Sequence, residues 1–322
     1  MPMDERNDFI NEFSLDNQGD LVFAKINRRN SDNIGQVSLV VKYAMADSFL
    51  INEINLEKIY LDEIRIKVDN FNKRYFITSF FFKQKKLNID GFYFYIWDKQ
   101  SGKISLENTI TFSDELKREA KGDANLKMAF NDYFIRNIII RKDGGFIIGS
   151  ESFYTTSRFN NWNRWDYMYG LPTYSSFDYY NYNPYYFNLW GYSRSRNNQS
   201  VRFHADNIVV FSFNKGGQLE WHNTINKDQY DDDSDDLISY QVMNTGSELH
   251  FLFTDLEKRT RLLNDFSISP EGQLNHSPTL KNLDRGYEFM PKFAKQVSAK
   301  QLIIPCLYRN NFICFAKIDY DF

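Results

Sequence analysis

Phe211-Ser212-Phe213-Asn214-Lys215-Gly216-Gly217-Gln218-Leu219 reads as an alternating apolar segment, a tight Gly turn, and a second segment that opens with an aliphatic residue two positions after the Gly. The same pattern stands at Phe13-Ser14-Leu15-Asp16-Asn17-Gln18-Gly19-Asp20-Leu21, at Ile96-Trp97-Asp98-Lys99-Gln100-Ser101-Gly102-Lys103-Ile104 and at Ile268-Ser269-Pro270-Glu271-Gly272-Gln273-Leu274. Alternation with period two is the mark of a strand with two unlike faces, and Gly supplies the positive φ that a tight turn requires. Each copy is therefore expected to be a β-hairpin.

Upstream of the hairpins lie strands of a second kind, at Arg74 to Phe82, Gly145 to Tyr154, Glu248 to Asp255 and Gln301 to Tyr308. Each follows a further segment: Ile64 to Asn70, Ile135 to Arg141, Ile238 to Asn244 and Lys292 to Ser298. Two strands and a hairpin make a four-stranded unit, and the units starting at 248 and 301 are roughly 50 residues apart, the length of a propeller blade. The expectation is an all-β fold: a β-propeller-like array of about five four-stranded units in one domain over residues 1–322, with an aromatic-rich insertion at 155–200. A polar, helix-like stretch from Ser113 to Ala129 widens one gap between units, and residues 30 to 60 fit the repeat poorly. The first segment, Phe9 to Leu15, looks like part of the hairpin that the last unit lacks at Asp319-Tyr320-Asp321-Phe322. The termini are thus expected to complement each other and close the array, the rival reading being a chain with earlier repeats missing.

Composition agrees with strand. Thirty Phe and 21 Tyr bring aromatics to 17 %, and aromatic side chains fit pleated, half-buried surfaces. A net charge of -3, from 42 acidic and 39 basic side chains, leaves no positive surplus to neutralise a phosphate backbone, so nucleic acid is excluded as a partner. No apolar run approaches the roughly 20 residues of a transmembrane helix, and Met1-Pro2-Met3-Asp4-Glu5-Arg6 lacks the apolar core of a signal peptide.

Several motifs carry resemblances. Trp97-Asp98 before Gly102-Lys103 resembles the end of a WD repeat, without the Gly-His pair of that family. Ser14-Leu15-Asp16-Asn17-Gln18-Gly19 looks like the Asp-box of sialidase-type propellers with one residue too many, and otherwise reads as a polar Gly turn. Across its length the chain resembles uncharacterised β-propeller-like repeat proteins of Bacteroidota-type bacteria, on Val68-Asp69-Asn70-Phe71-Asn72-Lys73-Arg74, Leu249-His250-Phe251-Leu252-Phe253 and Lys295-Gln296-Val297-Ser298-Ala299. That resemblance implies a protein of the cell envelope, periplasmic or surface, and brings no catalytic residues with it.

Candidate site residues are few. Glu151, in Gly149-Ser150-Glu151-Ser152-Phe153, is a carboxylate inside a strand that otherwise reads as core. Burial of a charge is costly unless it is paired, which makes Glu151 the candidate catalytic acid, against a blade-to-blade hydrogen bond as the structural alternative. The insertion holds Trp162, Trp165, Tyr180, Tyr185, Tyr186 and Trp190 among many Asn and Ser; such rings give large contact area at low entropy cost and stack on sugars. Asp231-Asp232-Asp233-Ser234-Asp235-Asp236 offers oxygens suited to Ca²⁺, with Asp231, Asp233 and Asp235 as ligands, but lacks EF-hand spacing. His204, His222, His250 and His276 are scattered without metal-ligand spacing, so no other cofactor is expected. If Arg309-Asn310-Asn311 is a hairpin loop, counting outward sets Cys306 opposite Cys314, where a cross-strand disulfide is open to them.

With no catalytic constellation in view, the expected function is a non-enzymatic interaction or scaffold protein that presents the aromatic loop to a protein partner. The alternative is a glycan-binding or carbohydrate-active propeller that uses Glu151 with a second carboxylate.

Overall fold

The computed structural model describes residues 8–27, 33–84, 88–121, 125–157, 164, 168, 201–232, 234–257, 260–280, 286–309 and 312–320. Among the described residues strand accounts for 62 % and helix for 6 %, far from the third that is helical in an ordinary globular protein. The all-β expectation holds.

Five antiparallel sheets follow one another along the chain. The first is β1 (Asp8–Leu15), β2 (Leu21–Asn27), β3 (Gln36–Lys42) and β4 (Leu50–Ile54). The second has β5 (Tyr60–Leu61) and β6 (Arg65–Asp69) on one side of β7 (Arg74–Phe82), then β8 (Gly91–Asp98) and β9 (Lys103–Thr111). The third is β10 (Tyr133–Ile140), β11 (Phe146–Ser157), β12 (Val201–Phe213) and β13 (Leu219–Ile225), with β14 (Gln229–Asp231) also on β12. The fourth is β15 (Tyr240–Asn244), β16 (Leu249–Glu257), β17 (Thr260–Ile268) and β18 (Leu274–Leu280). The fifth sets β19 (Tyr287–Phe289) and β20 (Lys295–Ser298) on one side of β21 (Gln301–Tyr308) and β22 (Phe312–Asp319) on the other. The polar stretch from Ser113 contains helix α1 (Asp114–Lys121), started by the Ser113 hydroxyl accepting from the Leu116 N–H, and a 3₁₀ turn at Leu126–Met128.

The sheets pack face to face in chain order, and this explains why the middle strands are apolar on both sides. In β8, Phe92, Phe94 and Ile96 meet the third sheet, while Tyr93, Tyr95 and Trp97 meet the first. Phe94 lies between Phe146 and Phe213 at ring separations of 4.9 and 4.8 Å, and Phe92 meets Phe211 edge-on at 5.0 Å. The third and fourth sheets join through Ile208, Val210, Val242 and Phe251, and the fourth and fifth through Leu252, Leu263, Leu302 and Ile304. Strands β1, β6 and β10 touch one another across the junctions, which makes the first strand of each unit the inner one.

The repeated Gly turns share a side-chain device. Asp16 Oδ1 accepts from the N–H groups of Gln18 and Asp20 at 2.8 and 2.9 Å, and Asn214 Oδ1 accepts from Gly216 and Gln218 at 2.9 and 3.1 Å. Asp98 Oδ1 takes the Ser101 N–H at 2.6 Å, and Ser269 Oγ takes that of Gln273 at 3.2 Å. A short acceptor side chain that satisfies the turn's own amides stabilises it locally, wherever in a sheet it occurs. For that reason the first hairpin misleads. It joins β1 to β2, the inner pair of its sheet, whereas the other three join third strands to fourth. The first sheet is complete from its own four strands, with β3 and β4 in the stretch that fits the repeat poorly, and among the described residues it shares no strand with the fifth. Among the described residues the terminal strands do not complete one another's sheet.

Cys306 and Cys314 are paired residues across β21 and β22, as the outward count predicts, and both are free thiols. Because Phe94 is fully buried among rings from two sheets, Phe94→Ala should lower stability by about 3–5 kcal/mol. A urea titration with one unchanged slope and a lower midpoint is the expected record.

Candidate functional site

At the inner strands a side chain of one sheet is bound by the next at each of the four junctions. From the first sheet, Asn11 Nδ2 donates to Ile64 O at 3.3 Å and Glu12 Oε1 accepts from Arg65 at 2.9 Å. From the second, Glu63 Oε1 accepts the Ile135 N–H of β10 at 2.8 Å, while its Oε2 lies 3.2 Å from Arg65. From the third, Glu151 Oε2 accepts from the Ser239 hydroxyl, just ahead of β15, at 2.6 Å. Between fourth and fifth, Asp235 pairs with Lys292 at 2.5 Å.

Glu151 is enclosed. Its side chain has no exposed surface, and its oxygens meet Lys227 Nζ at 2.9 Å, Arg136 Nε at 3.1 Å and the Ser239 hydroxyl. Burial pushes its pKa up, but Lys227 and Arg136, with the hydrogen bonds, outweigh that and hold the carboxyl below its ordinary 4.5. Lys227 is equally buried and also donates to Ala205 O at 2.6 Å and Gln229 Oε1 at 2.8 Å. A paired charge of this kind fixes the junction and offers no face to a substrate.

Glu12 differs in all these respects. It sits at a bulge in β1, where the register shifts between Asn11 and Ser14, and its φ is 56°. A non-Gly residue in the left-handed region stores on the order of 1–3 kcal/mol, and such residues cluster at functional sites. Its side chain keeps 21 % of its surface open to solvent, against 7 % for Glu63. Its carboxyl is pushed up, first by burial and then by the neighbouring Glu63 charge, against the pull of Arg65. Glu12 and Glu63 thus grip one guanidinium, and Glu12 is the one more open to water. Beside them the fully buried Asp62 is held by Arg164, at 3.1 Å from Nε and 2.6 Å from Nη2, and that guanidinium lies 3.9 Å from the centre of the Phe134 ring. Arg164 belongs to the expected insertion, and its side chain is fixed on Asp62, next to Glu63 in the chain.

The other expected residues fall elsewhere. Trp162, Trp165, Tyr180, Tyr185, Tyr186 and Trp190 lie outside the described residues, as does Asp233. Asp231 pairs with Arg261 at 2.7 Å and Asp235 with Lys292, so the acidic run is balanced by side chains of β17 and of the turn before β20. Among the described residues no group of three His, Cys, Asp or Glu side chains could hold a metal ion, and no helix is long and apolar enough to cross a membrane. Glu12, Glu63 and Arg65 are missed by reading single strands. A signal is nonetheless present: Ile64-Arg65 and Ile135-Arg136 occupy the same place in successive inner strands, and each Arg holds a junction carboxylate.

No known protein family and no curated protein matches the sequence. Among solved structures, the chain is similar to an acylaminoacyl peptidase of Pyrococcus horikoshii, at 8 % identity and a TM-score of 0.46 over 98 % of this chain and 39 % of that one. It is also similar to the catalytic domain of a Coprinopsis cinerea GH62 alpha-L-arabinofuranosidase, at 8 % identity and 0.38 over 99 % and 93 %. A GH43_1 enzyme from Xanthomonas citri, complexed with xylotriose, gives 6 % identity and 0.35 over 97 % and 87 %. The chain spans about two fifths of the peptidase's length. These likenesses concern the fold alone, and they lend nothing to a Bacteroidota source or an envelope setting. The expected non-enzymatic scaffold is corrected at this point. The glycosidases among the similar structures stand with its carbohydrate-active alternative.

Removing one member of a buried ion pair leaves the other uncompensated, so Lys227→Met should cost about 3–5 kcal/mol. Since the folded pKa of Glu151 is depressed, the stability it adds is complete above 4.5 and is lost as pH falls through the folded value. Loss of the Lys227 charge raises that folded value, so in Lys227→Met the acid limb should begin at higher pH. Urea midpoints measured from neutral to acid pH check both effects.

Proposed function

We propose that the chain is a carbohydrate-active propeller whose ligand is a glycan and whose working group is the Glu12–Arg65–Glu63 cluster. The observation that carries this reading is Glu12 itself: a partly exposed carboxyl on a left-handed bulge, with raised proton affinity, sharing a guanidinium with a second carboxylate. Glycoside cleavage needs one carboxyl that still holds its proton and another that is ionised, and unequal surroundings are what divide the two roles. Glu12 is the candidate acid and Glu63, fixed by Arg65 and the Ile135 N–H, the candidate carboxylate. The same set also suits binding. Neighbouring hydroxyls of a sugar donate to carboxylate oxygens and accept from a guanidinium, whose N–H groups are arranged as a fork. In this reading residues 1–322 act as one propeller-like domain with an insertion at 155–200, of which Arg164 stands beside the site.

A glycan array and a panel of chromogenic glycosides test the proposal with the full chain. Glu12→Gln keeps the shape and the hydrogen bond to Arg65 but removes the titrating proton, so turnover should fall at least about 100-fold while the urea midpoint stays close to the parent's. Turnover that survives this change, or a parent chain that neither retains nor cleaves any glycan, would overturn the assignment.

A further inference from the structure

The fifth sheet is three strands deep where the other four sheets carry a fourth strand. Strand β22 pairs with β21 as β8 pairs with β7 and β17 with β16, yet among the described residues no strand lies on its far side. Its composition is that of a third strand. Its first five residues, Phe312-Ile313-Cys314-Phe315-Ala316, have no charge, with Lys317 and Asp319 only at its end, whereas the outer strands β4, β9 and β13 carry Glu53, Lys103 with Glu107, and Glu220 with His222, and the outer strand β18 is interrupted by Pro278. Charge on an outer strand is the usual guard against pairing with another chain. Here Phe312, Ile313 and Phe315 are instead 66, 65 and 71 % exposed.

The direction of the free main-chain groups follows from a proline. Pro305 lies opposite Phe315, its carbonyl accepts the Met290 N–H at 2.9 Å on the side away from β22, and it has no N–H of its own. Opposed residues in an antiparallel ladder alternate between bonded and non-bonded pairs, so Pro305 and Phe315 are a non-bonded pair. The N–H and C=O of Phe315 therefore point outward, and by alternation so do those of Ile313, Lys317 and Asp319.

We propose that this edge pairs with β22 of a second copy of the chain, giving a two-fold dimer through one continuous sheet. The occupant must be an extended strand, because the edge offers main-chain donors and acceptors at strand spacing. The edge is also complementary to itself. A two-fold axis near Ala316 sets Ile313 opposite the second copy's Asp319 and Phe315 opposite its Lys317, so every outward-facing residue meets another outward-facing one. The same register covers Ile313 and Phe315 with the aliphatic stem of Lys317 and with one another across the axis.

Sedimentation equilibrium over a concentration series, with amide hydrogen exchange on the same samples, tests the proposal. The parent should reach twice 38.4 kDa, with the amides of Ile313, Phe315 and Lys317 protected in the dimer and exchanging freely on dilution. Ile313→Lys with Phe315→Lys, both on exposed positions, should remain folded and weaken the dimer at least 100-fold. Phe315→Pro removes one outward N–H from each copy, two across the two-fold axis, without touching a bond to β21, and should weaken the dimer about 100-fold, about tenfold for each hydrogen bond lost. A parent that stays at 38.4 kDa throughout, a dimer that survives both variants, or outward amides unprotected within the dimer would each overturn the proposal.

Discussion

The second, third and fourth sheets are apolar on both faces and so must be covered twice, and the inner polar contacts decide how one sheet sits on the next. Apolar faces alone do not do so, because dispersion and burial are nearly indifferent to a small slide or rotation between two pleated surfaces. The bonds Glu12–Arg65, Glu63–Ile135 and Glu151–Ser239 are directional, and each joins one sheet to the next at or beside its inner strands. The far ends of the strands carry a second set of ties. Lys99 reaches Asp16 and Asp20, Arg74 reaches Gly144 O at 3.2 Å, Trp221 Nε1 reaches Pro270 O at 3.0 Å, and Gln296 exchanges bonds with the backbone of Asn244 at 2.9 and 2.7 Å. Between these two belts the aromatic and aliphatic layers fill the space.

How much of this could be read from the sequence depends on whether the information is local. Strands Arg74–Phe82 and Gln301–Tyr308 coincide with their expected limits: the first is buried on both faces, the second on one face, and both are apolar runs with polar ends. The pairing of Cys306 with Cys314 follows from loop length alone. The first hairpin is read in the wrong place for the same physical reason that it is recognised at all. Asp16 satisfies the amides of its own turn, and that interaction carries no information about whether the strands on either side are inner or outer.

The acids show the opposite case. Glu151 stands out in the sequence because its neighbours are apolar, and it is buried, yet burial has brought it Lys227 from more than seventy residues away and so closed it off. Glu12 is unremarkable in the sequence, flanked by Asn11 and Phe13 in a strand with polar residues on both sides. Its position becomes meaningful only when β1 bulges and β6 arrives with Arg65. A carboxylate made conspicuous by an apolar context is one that the fold must neutralise, whereas one in a mixed context can remain partly open to solvent. Composition around a single residue therefore points toward structural acids more readily than toward reactive ones.

The three inner carboxylates differ by degrees in one property, access to water, and that gradation separates support from chemistry. Glu151 is sealed with two cations and a hydroxyl, Glu63 is nearly sealed with one cation and one amide, and Glu12 has one cation and an open side. Were all three sealed, the junctions would be fixed but nothing could enter; were all three open, solvent would screen the bonds that set the sheets. The left-handed turn of Glu12 fits this division. A regular strand at that point would carry the side chain along the ladder with its neighbours, and the bulge redirects it to the edge of the guanidinium that already anchors Glu63. The strain is tolerated because Asn11, the preceding residue, is fixed to Ile64 O and the Ile66 N–H is bonded to the carboxyl itself. The acid that is most open to solvent is thus held by the same contacts that hold the first sheet to the second.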